Sequence, residues 1–278
     1  MDLGDIDNRL LIFGGPYSNL GATRAMRAKA ESLGFAPAQV ICTGDLVAYC
    51  GEPRETVDLI RDWGCNLVMG NCEESLGFER LDCGCGFDPD SACSLLSIDW
   101  YRYASEAMSP ELRAWMRKLP RMINLRLGQS SVRVIHGSVT RINQFIFSSS
   151  PDPLKRAQID EAGTDIVIGG HAGIPFGQLL DDRFWLNAGV IGMPANDATP
   201  DGWYMLLEAR PGAIDVSWHR LSYDARSSSQ STRKAGMLAY ADALIDGLWP
   251  NMDVLPEAQR HQRGKRLELR AMRIKPRL

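Results

Sequence analysis

The sequence predicts an α/β fold, and two observations carry that expectation. Short apolar runs that stop at Gly-rich turns recur along the chain, and the stretches between them place Ala, Arg and Glu at amphipathic helical spacing. With 278 residues and 45% hydrophobic content, the chain can bury one large core.

Residues 9–13 form the first expected strand, which stops at Gly14-Gly15-Pro16 and passes into a helix near residues 19–32. A second strand over 38–43 ends at Gly44-Asp45; a helix follows at 53–63, and a third strand at 66–69 closes on Gly70-Asn71. Residues 77–97 are rich in Gly, Cys and Asp without any period, so they are expected to be an irregular insertion over one face. Helix resumes over 99–118, where Ser109-Pro110-Glu111 carries the N-cap and first-turn proline of a second helix. Strands at 132–135 and 165–168 run into His136-Gly137 and Gly169-Gly170-His171. Residues 185–187 and 203–207 are later strands, and 214–219 alternates like an exposed one. Trp63, Trp115 and Trp185 are assigned to the core.

Composition changes after residue 226. Residues 227–231 are linker-like, 234–247 helical, and 259–278 hold eight Lys or Arg against one Glu. The domain expectation is a principal domain over 1–226, and a linker, helix and basic tail over 227–278 that pack on it or extend from it. The tail is a solvated extension or a contact for acidic ligands or RNA. A formal charge of -3 gives no basic surface overall, so nucleic acid is disfavoured except through that tail. No charged start with an apolar run and no membrane-length apolar segment occurs, which points to a soluble, cytoplasmic protein. Seven cysteines cannot all pair internally, and a reducing compartment leaves them as thiols or ligands.

Four polar residues stand just past strand ends: Asp45, Asn71, His136 and His171. Loops converge at the carboxyl ends of strands in α/β sheets, so these side chains are expected to meet. A carboxylate, an amide oxygen and two imidazoles suit a divalent transition metal such as Mn, Fe or Zn.

The flanking residues Gly44-Asp45, Gly70-Asn71, His136-Gly137 and Gly170-His171 occur in that order, with Asn187-Ala-Gly-Val-Ile-Gly192 after them. Here the chain resembles the calcineurin-like metallophosphoesterase family, whose blocks run D-x-H, GD, GNH, H and GHxH; the likeness spans about residues 10–208. The resemblance implies a two-sheet β-sandwich flanked by helices in four layers. It also implies a pair of metals sharing Asp45, one of them bound by Asn71, His136 and His171, and hydrolysis of a small phosphomonoester, phosphodiester or nucleotide. The family pattern assigns catalytic roles to the positions of Asp45, Asn71, Cys72 and His136.

This sequence departs from that pattern at four places. D-x-H falls on Gly15-Pro16-Tyr17, the last His of GHxH is Gly173, and the His of GNH is Cys72. One ion keeps its ligands, whereas a second keeps Asp45 alone and would bind weakly. Tyr17 and Cys72 are candidate replacement ligands; for Tyr17 the competing role is packing, and Cys72 beside a metal would ionise. Cys72, Cys83, Cys85 and Cys93 could form a thiolate site joined by Cys50, while Cys42 and Cys65 suit buried apolar positions. A Cys83–Cys93 disulfide is disfavoured in a reducing compartment. Asn19 could meet phosphate or cap a helix, and Arg141, with Asn143, could reach a substrate anion. His219 and His261 lie outside the strand-end set. Beside hydrolysis two other functions stay open: a non-hydrolytic metal- or anion-binding regulatory relative, and a reworked Cys/Tyr metal centre.

Overall fold

The computed structural model of the protein describes residues 1–88 and 91–275. The strands in chain order are β1 (Asp2–Ile6), β2 (Arg9–Phe13), β3 (Val40–Cys42), β4 (Asn66–Leu67), β5 (Met122–Leu127) and β6 (Ser130–Ile135), then β7 (Ile166–Gly169), β8 (Phe176–Leu180), β9 (Arg183–Asn187), β10 (Gly202–Arg210), β11 (Ala213–Leu221) and β12 (Met272–Ile274). The helices are α1 (Leu20–Ser32), α2 (Pro53–Trp63), α3 (Asn71–Gly77), α4 (Ala92–Ala107), α5 (Pro110–Met116), α6 (Asp152–Ala162), α7 (Ala225–Lys234), α8 (Leu238–Asp246) and α9 (Glu257–Arg260). Two mixed six-stranded sheets result, ordered β1-β5-β6-β7-β9-β8 and β12-β11-β10-β2-β3-β4.

Successive strand residues point to opposite faces, and both faces of the central strands are apolar. In β2, Leu10 and Ile12 join the core between the sheets, with Ile123, Val132, Val134, Ile166 and Ile168 of the other sheet. Leu11 and Phe13 point the other way, under α1 and α2, against Met26, Val57, Ile60 and Trp63. A third core holds α6 to the far face of the other sheet through Ile159, Val167 and Trp185. The order helix, sheet, sheet, helix is therefore dictated by two-sided strands that each need a second cover. Ile60 is only 1% exposed, so Ile60→Ala would cost about 2–5 kcal/mol.

Helix α1 starts where Asn19 caps it by accepting from Ala22 N, and α5 where Ser109 accepts from Leu112 N. Helix α2 ends at Gly64, whose φ of 70° is the left-handed conformation glycine adopts freely.

Several sequence expectations need correction. The irregular insertion is shorter than 77–97, because Ser91 caps α4 and helix begins at Ala92. The linker-like residues 227–231 lie inside α7. There Ser228 donates its hydroxyl to Asn19 Oδ1 (2.8 Å) and Ser229 to the Ala241 carbonyl (2.7 Å), so small hydroxyls fill a helix contact. The helix expected over 234–247 starts later, at Leu238, after α7 has run to Lys234. Part of the basic tail is a strand: β12 pairs antiparallel with β11, Ile274 opposite Ile214. Among the described residues no helix is long and apolar enough to cross a membrane.

Candidate metal centre

The carboxyl ends of β3 and β4 in one sheet and of β6 and β7 in the other deliver Asp45, Asn71, His136 and His171 to one place. Gly44 and Asp45 both adopt left-handed backbone, with φ of 97° and 56°. A buried carboxylate holds that strained turn: Glu73 accepts from Asp45 N (2.8 Å), Leu46 N (2.7 Å) and Gly70 N (2.9 Å). Burial and then Asp45 raise its pKa to about 7, against the lowering effect of the three amides. Glu73 thus clasps the Asp45 turn to the Asn71 turn. Gly70 must lack a side chain, since a Cβ there would overlap the Asp45 carboxylate.

The distances describe a ligand polyhedron. His136 Nε2 lies 3.0 Å from Asn71 Oδ1, 3.1 Å from His171 Nδ1 and 3.2 Å from Asp45 Oδ2, and His171 Nδ1 is 3.9 Å from that oxygen. With metal bonds of about 2.1 Å, neighbouring ligands stand about 3.0 Å apart around an octahedral ion and about 3.4 Å around a tetrahedral one. Among the described residues Asp45, His136 and His171 are the His/Cys/Asp/Glu cluster able to hold an ion. Asn71, which contributes an amide oxygen, completes four.

The outer hydrogen bonds settle which atoms face inward. His136 Nδ1 donates to the Thr43 carbonyl (2.7 Å) and His171 Nε2 to the Cys85 carbonyl (3.1 Å), leaving the inward nitrogens as lone pairs. Asn71 Nδ2 donates to the Cys83 carbonyl (3.0 Å), which turns Oδ1 inward. Asp45 Oδ1 accepts from Cys72 N (3.1 Å), leaving Oδ2 inward. Four acceptors facing one point repel one another unless a cation or a proton sits among them. The electrostatics agree. Burial alone would raise Asp45, but the two imidazoles outweigh it and keep the carboxyl well below its usual range. His136 is raised despite burial, because Asp45 is adjacent, whereas burial lowers His171.

Comparison with known proteins bears on this arrangement. Residues 19–211, more than half of the chain, match the Calcineurin-like phosphoesterase superfamily domain. The chain belongs to the calcineurin-like phosphoesterase superfamily. It is 25% identical over 247 residues to the uncharacterized protein MJ0912 of Methanocaldococcus jannaschii, covering 82% of this chain and 93% of that protein. A metallophosphoesterase from Sphaerobacter thermophilus shares the fold at a TM-score of 0.68 and 22% identity, over 87% of this chain and 99% of that one. The hypothetical protein PH1004 from Pyrococcus horikoshii OT3 does so at a TM-score of 0.71 and 15% identity, over 90% and 100%.

For a calcineurin-like phosphoesterase, the neighbouring half of the site is unusual. A Cβ on Gly15 would meet the Tyr17 ring at 2.5 Å and Val190 at 2.6 Å, and a Cβ on Gly173 would lie 3.8 Å from the Tyr17 hydroxyl. The Tyr17 ring therefore fills the space that a side chain at position 15 would enter. Burial first, then Asp45, raises the phenol well above its usual pKa.

The insertion covers the centre, because the Cys83 and Cys85 carbonyls are bound by two of the four site residues and the Gly84 carbonyl accepts from Asn143 Nδ2 (2.9 Å). The four-cysteine site is not assembled. Cys83 and Cys85 are bonded to each other as a disulfide, and Cys93 donates its thiol to Asn251 Oδ1 (2.6 Å). The Cys50 thiol points to the Gly192 carbonyl (3.7 Å). Cys72 is buried, and burial with Asp45 and Glu73 pushes its thiol well up. Cys42 is fully buried and Cys65 half-buried.

Of the two roles open to Asn19, the structure shows the cap. Its Oδ1 accepts from Ala22 N and Ser228, and its Nδ2 donates to the Gly192 carbonyl (3.0 Å) and Tyr223 (3.2 Å), so no polar atom of its side chain faces a substrate. Arg141 is exposed and lines, with Arg121 and His136, a cleft separate from the aromatic one around His171. His219 stacks on Tyr204 and His261 is exposed, both away from the centre.

Proposed function

We propose that this protein is a metal-dependent phosphoester hydrolase acting on a small phosphorylated substrate through one divalent ion, Mn, Fe or Zn, held by Asp45, Asn71, His136 and His171. The observation that carries this reading is the set of four inward acceptors whose tautomers and rotamers are fixed by hydrogen bonds behind them. When bound, the ion supplies a Lewis acid and lowers the pKa of a coordinated water toward neutrality. Asp45 provides the compensating negative charge, and Cys72 N fixes its carboxylate. The carbonyls of Thr43 and Cys85 hold the imidazoles in register and make them better donors. Cys72, in place of the family's histidine, is a less apt acid–base group beside Asp45, which supports a slow reaction.

One observation favours a second reading, a non-hydrolytic metal-binding relative. None of the four residues is more than 7% exposed, and the Cys83–Cys85 loop lies across them. The experiment is a metal assay with phosphatase and diesterase measurements on protein reconstituted with Mn. Hydrolysis that disappears in Asp45→Ala supports the first reading; one bound ion without turnover against any phosphoester overturns it and leaves the second.

A further inference from the structure

Beside the centre lies a narrow cleft with about 60 Å³ of space for the centres of water-sized groups, room for one small ring and not for a macromolecular segment. His171 lines it together with Tyr17, Tyr49, Phe87, Phe145, Tyr240 and Trp249. The rings make a connected lining: Tyr49 packs against Tyr17 and Tyr240 at centroid distances of 4.8 Å, and Phe145 lies 4.1 Å from His171 and 6.3 Å from Phe87. Among the described residues no Asp, Glu, Lys or Arg lines it, so an ionic group inside would lose hydration without gaining a counter-charge. The lining is also rigid. Trp249 donates its indole N–H to the Pro194 carbonyl (2.7 Å) and its backbone N–H to Asn196 Oδ1 (2.9 Å). Tyr240, Trp249, Asn251 and Val254 come from beyond residue 211, outside the matched family domain.

We propose that this cleft seats an uncharged aromatic group of the substrate, ester-linked to a phosphoryl group that meets the metal centre at His171. Fixed ring faces and edges bind a planar ring with little loss of conformational freedom, and charge on the ligand is accommodated only at the centre. The chemistry is shared by simple aryl phosphates and by the bases of nucleotides. This inference rests on the proposed hydrolase reading for the position of the phosphoryl group, but binding tests it without turnover.

The test is calorimetry with two non-hydrolysable probes, phenylphosphonate and methylphosphonate, on Mn-loaded protein. We expect phenylphosphonate to bind at least tenfold more tightly. In Trp249→Leu and in Tyr240→Leu, each checked for unchanged Mn content, that preference falls to within threefold while methylphosphonate affinity stays the same. Equal binding of the two probes, absence of binding by both, or a preference that survives both substitutions overturns the proposal, even if phosphoesters are hydrolysed. Absence of hydrolysis with the preference intact overturns only the hydrolase reading. Adenosine 5′-monophosphate against ribose 5-phosphate then distinguishes the sources. A matching preference for the adenosine compound marks a nucleotide base as the occupant, and its lack restricts the occupant to simple aryl groups.

Discussion

At Asp45, Asn71, His136 and His171 four acceptor atoms face one point, each backed by a hydrogen bond, whereas the adjoining positions Gly15, Tyr17 and Gly173 offer two glycines and a phenol. Both regions sit at the same strand ends and share the same core. What separates them is what fills the space. On one side mutual repulsion of lone pairs calls for a cation or a proton among them. On the other a buried ring packs against Tyr49 and Val190, and no charge is left over. The space beside Asp45 is thus taken up by packing, which accords with the proposal that Asp45 serves one ion.

The largest expected effect is on the side that keeps its ligands. Asp45→Asn keeps the shape of the side chain but removes the one carboxylate among four inward groups. Changes one shell further out weaken metal sites about 10–100-fold, so loss of this ligand should weaken Mn binding by at least about 100-fold. Equilibrium dialysis checks it, and an affinity within threefold of the parent would show that the four acceptors do not hold the ion.

The filled side is tested by trying to reopen it. Parent protein titrated with Mn should bind one ion per chain, seen as an uncoupled signal by electron paramagnetic resonance. Gly15→Asp alone should destabilise the fold by about 2–4 kcal/mol, from its overlap with Tyr17 and its left-handed backbone with φ of 39°. Adding Tyr17→His should recover part of that cost in a double-mutant cycle read by urea unfolding. Additive costs would mean that the Tyr17 ring is not what excludes a side chain at 15.

A comparison of two asparagines sharpens the same contrast. Asn19 and Asn71 each follow a strand and are each 1% exposed, yet one caps a helix and the other faces the centre. Asn19→Ala should cost about 1–3 kcal/mol of stability and leave Mn affinity unchanged, because a cap and three further hydrogen bonds are lost. Asn71→Ala should do the reverse in emphasis, with metal affinity falling more than stability. Thermal unfolding beside dialysis separates the two, and equal effects on metal would erase the distinction.

The retained residues were legible because each occupies a glycine-flanked turn at the end of an apolar run, a local signal. Helices with sharp boundaries were legible for the same reason: Pro53 opens α2, Gly64 closes it, and Ser109 caps α5. Glu73 escaped notice although it organises two turns, since a glutamate three residues past Gly70 looks like any first-turn helical acid. Helix α6 and strand β5 carry fainter local signals, Gly163 after 152–162 and the alternation Ile123, Leu125, Leu127. The Ser run at 227–231 misled because hydroxyls that satisfy a helix contact have the composition of a linker. The aromatic cleft lay beyond local reading, since Tyr17 and Trp249 meet only through the tertiary fold.

The smallest expected effect concerns the C-terminal segment and how firmly it joins the sheet. Asp215 on β11 accepts from Arg273 on β12 (2.7 Å and 3.1 Å) and from Arg210 (3.1 Å), and these partners, Arg273 first, lower its pKa to about 2. A carboxyl whose folded pKa is depressed lends its stabilisation above its unfolded value, near 3.9, and loses it as pH falls through the folded value. The pairing of Met272–Ile274 with β11 should therefore be constant from neutral pH down to about 4 and weaken between about 4 and 2. The carboxylate is half-exposed and salt screens it, so the change should be confined to faster amide exchange on β12, with the rest of the sheet unaltered. Asp215→Asn should give the acid-state exchange rate at neutral pH. If exchange on β12 in that variant matches the parent at neutral pH, apolar contact through Ile274 alone holds the strand, and the ion pairs are incidental to it.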